Sequence, residues 1–146
     1  MAHYVVGMGG KVQCRSDHVT RVEVYSTTDA TLAGAVAGDV AIIVNSTGNG
    51  QAGVCVNDYD TFNDELVLDC EGAYDIAVTA KGAGNANTAI QQFDSVYWNA
   101  TDSRIDLDRS DTGIVVGQAL EGLTSGATAR IGVQFFRLPA DKTIAA

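Results

Sequence analysis

Ala73-Tyr74-Asp75-Ile76-Ala77-Val78-Thr79 decides the fold. Bulky Tyr74, Ile76 and Val78 alternate with small or polar neighbours, a period of two that sends them to one face of a strand. That face is expected to be core. The pattern recurs in Arg104-Ile105-Asp106-Leu107-Asp108 and in Arg130-Ile131-Gly132-Val133-Gln134-Phe135. Such alternation belongs to antiparallel sheets, because strands buried on both faces read as unbroken apolar runs. Val40 to Val44 is a run of that second kind and is predicted to be a central strand. Further strands are expected over Val19 to Tyr25, Gln51 to Val56, Glu65 to Asp69, Asp94 to Trp98 and Ile114 to Glu121.

Between these segments lie Asn45 to Gly50, Asn57 to Asp64, Lys81 to Asn87, Asn99 to Ser103, Ser110 to Gly113 and Thr124-Ser125-Gly126. Their Gly, Asn and Asp residues accept positive φ or bond their own backbone, so they reverse the chain. The sum is about nine short strands, which points to an all-β, antiparallel β-sandwich or small β-barrel. Lys81 to Gln92 is the one place for a short helix or a wide loop. Val40, Ile42, Val44, Val54, Val56, Ile76, Val78, Ile105, Ile131, Val133 and Phe135 are the predicted core. Residues 1–18 carry the cluster Gly7-Met8-Gly9-Gly10 without sustained alternation and are read as an extended N-terminal arm. Residues 19–138 form the β-domain, and 139–146 a C-terminal tail.

At 146 residues the chain fits one domain, and 46% hydrophobic with 18% charged residues is the composition of a globular protein. Eighteen acidic against nine basic side chains give a net charge of −9, which phosphate backbones would repel, so nucleic acid is not an expected partner. No apolar run approaches the roughly 20 residues of a membrane helix, and Met1 to Gly10 lacks the pattern of a signal peptide, so neither membrane nor export is expected.

Cys14, Cys55 and Cys70 are odd in number and widely spaced, unlike a disulfide framework, and reduced thiols are expected, with Cys55 a small buried hydrophobe. Cys14 and His18 have the spacing of two ligands on a helical turn but lack the further ligands a zinc site needs. Asp58, Asp60, Asn63, Asp64 and Glu65 crowd oxygen atoms as a calcium loop does, yet Asn63 stands where that loop requires glycine. A solvated acidic turn is the reading. Asp102, Asp106, Asp108 and Asp111 are read as the outward face of a strand and its turn; as paired carboxylates they would have to be held at a set separation to hydrolyse a glycoside. No catalytic, cofactor or metal site is predicted.

The elements from Ala37 onward contain Ala37-Gly38-Asp39-Val40 to Val44, Gln51 to Asp58, Leu66 to Ile76, Asp94-Ser95-Val96-Tyr97-Trp98-Asn99-Ala100, Ile114 to Glu121 and Ala129 to Phe135. In this order they resemble the head-decoration, or capsid-cement, family of tailed phages. Residues 1–30 fall outside the resemblance. It implies a non-enzymatic structural protein of the virion, made in the host cytoplasm, that binds the outer surface of an icosahedral capsid. It also implies the major capsid protein as partner, clamping of neighbouring subunits against internal pressure, and a homotrimer at threefold or quasi-threefold positions. The alternative is a lectin-like, carbohydrate-binding β-sandwich on a phage or cell surface, against which stands the scatter of one Trp and five Tyr. Partner contacts are assigned to the apolar residues of the arm, Tyr4, Val5, Val6 and Met8, which would add a strand to a neighbouring chain's sheet or fill a groove. Trp98 joins them as the more exposed of the pair Tyr97-Trp98.

Overall fold

A computed structural model describes residues 32–59 and 66–135, together with the backbones of two more strands at Tyr4–Val6 and Val22–Tyr25. In chain order the strands are β1 (Tyr4–Val6), β2 (Val22–Tyr25), β3 (Val40–Val44), β4 (Gly50–Cys55) and β5 (Leu66–Asp69). They continue as β6 (Ala73–Thr79), β7 (Ser95–Asn99), β8 (Arg104–Asp106), β9 (Val115–Ala119) and β10 (Thr128–Phe135). Every pairing is antiparallel. The first sheet has the order β1-β3-β4-β5-β2, and the second the order β6-β10-β9-β7-β8. Each sheet therefore draws its strands from one stretch of chain, Tyr4 to Asp69 for the first and Ala73 to Phe135 for the second. The wide loop expected after Lys81 holds a single 3-10 turn at Ala83–Asn85.

The main core collects Val40, Ile42, Val44, Ala52 and Val54 from the first sheet and Ile76, Val96, Val116, Val133 and Phe135, among others, from the second. Tyr74 and Phe135 meet edge to face there, with ring centroids 5.9 Å apart, the arrangement that aromatic quadrupoles favour. A second cluster takes Ala41, Cys55, Leu66 and Leu68 from strands of the same first sheet, and Leu32, Ala35, Tyr59 and Cys70 from outside them. Val40, Ile42 and Val44 enter one core while Ala41 enters the other, which is why β3 is an unbroken apolar run. It lies between β1 and β4, an interior strand as its run predicts.

The second sheet curls towards a barrel. Its end strands β6 and β8 approach each other, and just beyond them the Leu107 N–H donates to the Lys81 carbonyl at 2.8 Å. One irregularity sits in its middle. Val96 stands opposite Gly117 and Tyr97 opposite Val115, so Val116 is an extra residue in β9. This bulge breaks the alternation and lets Ile114, Val115 and Val116 all be buried. At Gly117 a Cβ would collide with the Gln134 carbonyl oxygen and lie 2.8 Å from Val133 Cγ1, so β9 and β10 approach as closely as glycine allows.

Ten of the eleven predicted core residues are buried. Val56 is not: β4 ends at Cys55, the inward alternation of Ala52 and Val54 stops with it, and Val56 is 47% exposed. The arm also needs correction. Tyr4, Val5 and Val6 stand opposite Ile42, Ala41 and Val40 of the same chain, so these residues extend their own sheet where a neighbouring chain was expected. Met8 lies outside the described residues.

Candidate functional site

Trp98 is a core residue. β7 is an interior strand between β9 and β8, and Trp98, opposite Ile105, is 3% exposed within the main core. Tyr97, on the other face, is buried too. Adjacent residues in a strand do alternate faces, but here both faces are covered, so neither ring is left for a partner.

The exposed large apolar side chains of the described residues are elsewhere: Val36, Val56 and Phe93. Val36 and Val56 belong to neighbouring stretches tied together by Gly38 N–H to Cys55 O at 2.8 Å, Ala37 N–H to Asp58 Oδ1 at 3.0 Å and Tyr59 N–H to Ala35 O at 2.8 Å. Phe93 is the most exposed, at 60%.

Phe93 sits on a clamped turn. Ile90 pairs with Leu123 as an isolated bridge, with bonds of 3.0 and 2.9 Å in the two directions. The chain then reverses over Gln91 to Asp94: the Asp94 N–H donates to Gln91 O at 3.1 Å, and the Gln91 N–H donates to Asp94 Oδ2 at 2.8 Å. Phe93 N–H donates to Ala119 O at 2.7 Å, and Ala119 N–H donates to Asp94 O at 2.8 Å. The third residue of this turn, Phe93, has φ +75°. Glycine or asparagine is the usual occupant of such a position, and a bulky residue there is an outlier.

The acidic residues that the sequence crowds together work inside the fold. Asp106, expected on the outward face, is fully buried. Its Oδ2 accepts from Arg104 Nε at 2.7 Å and Asn99 Nδ2 at 3.0 Å, and its Oδ1 accepts from the Asp108 N–H at 2.8 Å. Arg104 extends to Asp102 Oδ2 at 3.3 Å and Asn85 Oδ1 at 3.0 Å. Asp108 accepts from the Ser110 N–H at 2.9 Å. Asp111 accepts from Thr101 Oγ1 at 2.6 Å and the Ala100 N–H at 2.7 Å. The Thr101 hydroxyl, helped by the Ala100 and Thr101 N–H groups, holds the Asp111 carboxyl below its ordinary pKa. These carboxylates brace the β7–β8 and β8–β9 connections.

Asp69 does the same at the β5–β6 turn, accepting from the Tyr74 hydroxyl and from the Glu71 and Gly72 N–H groups. Among the described residues no three His, Cys, Asp or Glu side chains are grouped to hold a metal ion. Of the calcium-like run only Asp58 is described, and its Oδ1 accepts the Ala37 N–H; Cys14 and His18 lie outside the described residues. Cys55 and Cys70 are both buried. Burial, with the nearby Asp39 charge, pushes the Cys55 thiol up to about 12, so it stays protonated at neutral pH.

Sequence reasoning passed over Phe93. The signal was there: in Gln91-Gln92-Phe93-Asp94 a lone aromatic interrupts a polar stretch, outside any alternation. No family model, curated protein or solved structure matches this chain.

Proposed function

We propose that this chain is a decoration protein of an icosahedral phage head, bound as a homotrimer to the outer surface of the shell and bridging subunits of the major capsid protein. One observation carries the reading. Each sequence piece that resembles the decoration family coincides with a core element, in the same order: Ala37 to Val44 with the turn before β3 and β3 itself, then β4, β5 with β6, β7, β9 and β10. The resemblance therefore lies in the strands that build the sandwich. A net charge of −9 keeps free subunits apart and favours docking on basic patches of a shell.

The test is to mix the purified protein with heads assembled from the major capsid protein encoded with it. Co-sedimentation at a fixed saturating ratio is expected, and decorated heads should survive hotter or more strongly osmotic conditions, since a ligand that binds only the intact shell stabilises it by mass action. Absence of co-sedimentation rejects the proposal. Binding without added stability would leave decoration standing and remove the clamp.

A further inference from the structure

We infer that Phe93 is the anchor by which the chain docks on its partner, its ring entering an apolar socket on a protein surface whose rim is basic. The inference rests on the reading that the partner is a capsid subunit, and names the contact.

The ring belongs to neither core cluster and is 60% exposed. Its backbone nevertheless adopts φ +75°, a conformation in which a bulky non-glycine residue is strained. A fold that needed only the turn would be better served by glycine or asparagine, so the conformation is held for the sake of the side chain. The bonds from Phe93 to Ala119 and from Ala119 back to Asp94 fix the turn to β9 and its exit. A phenyl ring with two side-chain torsions on such a turn has little freedom to lose on binding, which is the economy of a preorganised hot spot.

Charge selects the socket. Asp94 adjoins Phe93, and Glu121 lies two residues beyond the Ala119 that the turn bonds. The two segments concerned, residues 82–103 and 110–129, contain no lysine or arginine. With Asp94 next in the chain, exposed Gln91 and Gln92 before it and a net charge of −9 over the whole sequence, the ring matches an apolar pocket bordered by arginine or lysine. A nucleobase would also stack on a phenyl ring, but its phosphates require the cations that these segments lack.

The experiment compares wild type, Phe93→Asn and Phe93→Tyr in the same head-binding assay, at low and high salt, with thermal melting of each free protein. Phe93→Asn is expected to melt at or above the wild-type temperature, since asparagine accepts the positive φ, while its affinity for heads falls roughly thirtyfold, as for a hot-spot truncation. Phe93→Tyr should bind within a few-fold of wild type. Wild-type binding should weaken as salt rises. If wild type binds and Phe93→Asn binds equally well, the anchor is refuted and decoration stands; salt-independent binding refutes the basic rim. A marked drop in the melting temperature of Phe93→Asn assigns the ring to the fold and also refutes the anchor. If wild type binds no heads, the anchor and the decoration reading fall together.

Discussion

Trp98 is the single tryptophan of the chain, and its burial among Val96, Ile105 and Ile114 makes its fluorescence a direct report on the main core. We expect blue-shifted emission that acrylamide quenches poorly, and a red shift on unfolding. Trp98→Ala should cost about 3–5 kcal/mol, read from the urea midpoint, as large-to-small changes in packed cores do. Arg104→Ala should lower stability by about 1–3 kcal/mol by taking a charged donor from the buried Asp106 carboxylate. Asp111 gives a pH signature. Its folded pKa lies below the unfolded value of about 3.9, so its contribution is present above that value and is lost as pH falls through the folded pKa. In Asp111→Asn the acid side of the stability curve should be correspondingly flatter, by a small amount because the group is exposed. Single residues are also where sequence misled most. Asp106 has the alternation of an outward strand position, and only the spatial arrival of Asn99 and Arg104 shows that a carboxylate can be buried there.

At the scale of elements, β3 and β6 were legible to the residue, because an unbroken apolar run and a clean alternation each have one physical explanation. β1 was not: three residues beside a glycine cluster are too few to show a period, and the strand exists by pairing with β3. The β9 bulge was equally invisible, since an extra residue in one strand is defined only by its partner. That bulge ends at Gly117, against the Gln134 backbone. Gly117→Ala should therefore force β9 and β10 apart, at a cost of about 1–3 kcal/mol, measurable as a lower urea midpoint.

At the scale of the molecule, the described residues form two apolar compartments separated by the first sheet, one reported by Trp98 and the other by two buried thiols. In a Cys14→Ser background, thiol labelling of Cys55 and Cys70 can be followed alongside Trp98 emission. Labelling at denaturant concentrations that leave the emission unchanged would show the second compartment opening alone, as a separate unit of local stability. We expect this order, because Leu32, Ala35 and Tyr59 cover that face from outside regular strands, whereas a whole sheet covers the other.

The assignment of one sheet to each stretch of chain bears on how the protein is made. A ribosome delivers the first sheet complete, with Val40, Ile42, Val44, Ala52 and Val54 still facing water. The opposing wall cannot close until the last strand arrives, because β10 joins β6 to β9. Nascent chains arrested with Gly126 just outside the exit tunnel should remain protease-sensitive, and those that have released Phe135 should become resistant. Until that moment the half-made sandwich exposes the apolar face that chaperones bind, so chaperone depletion should lower the yield of folded protein during translation.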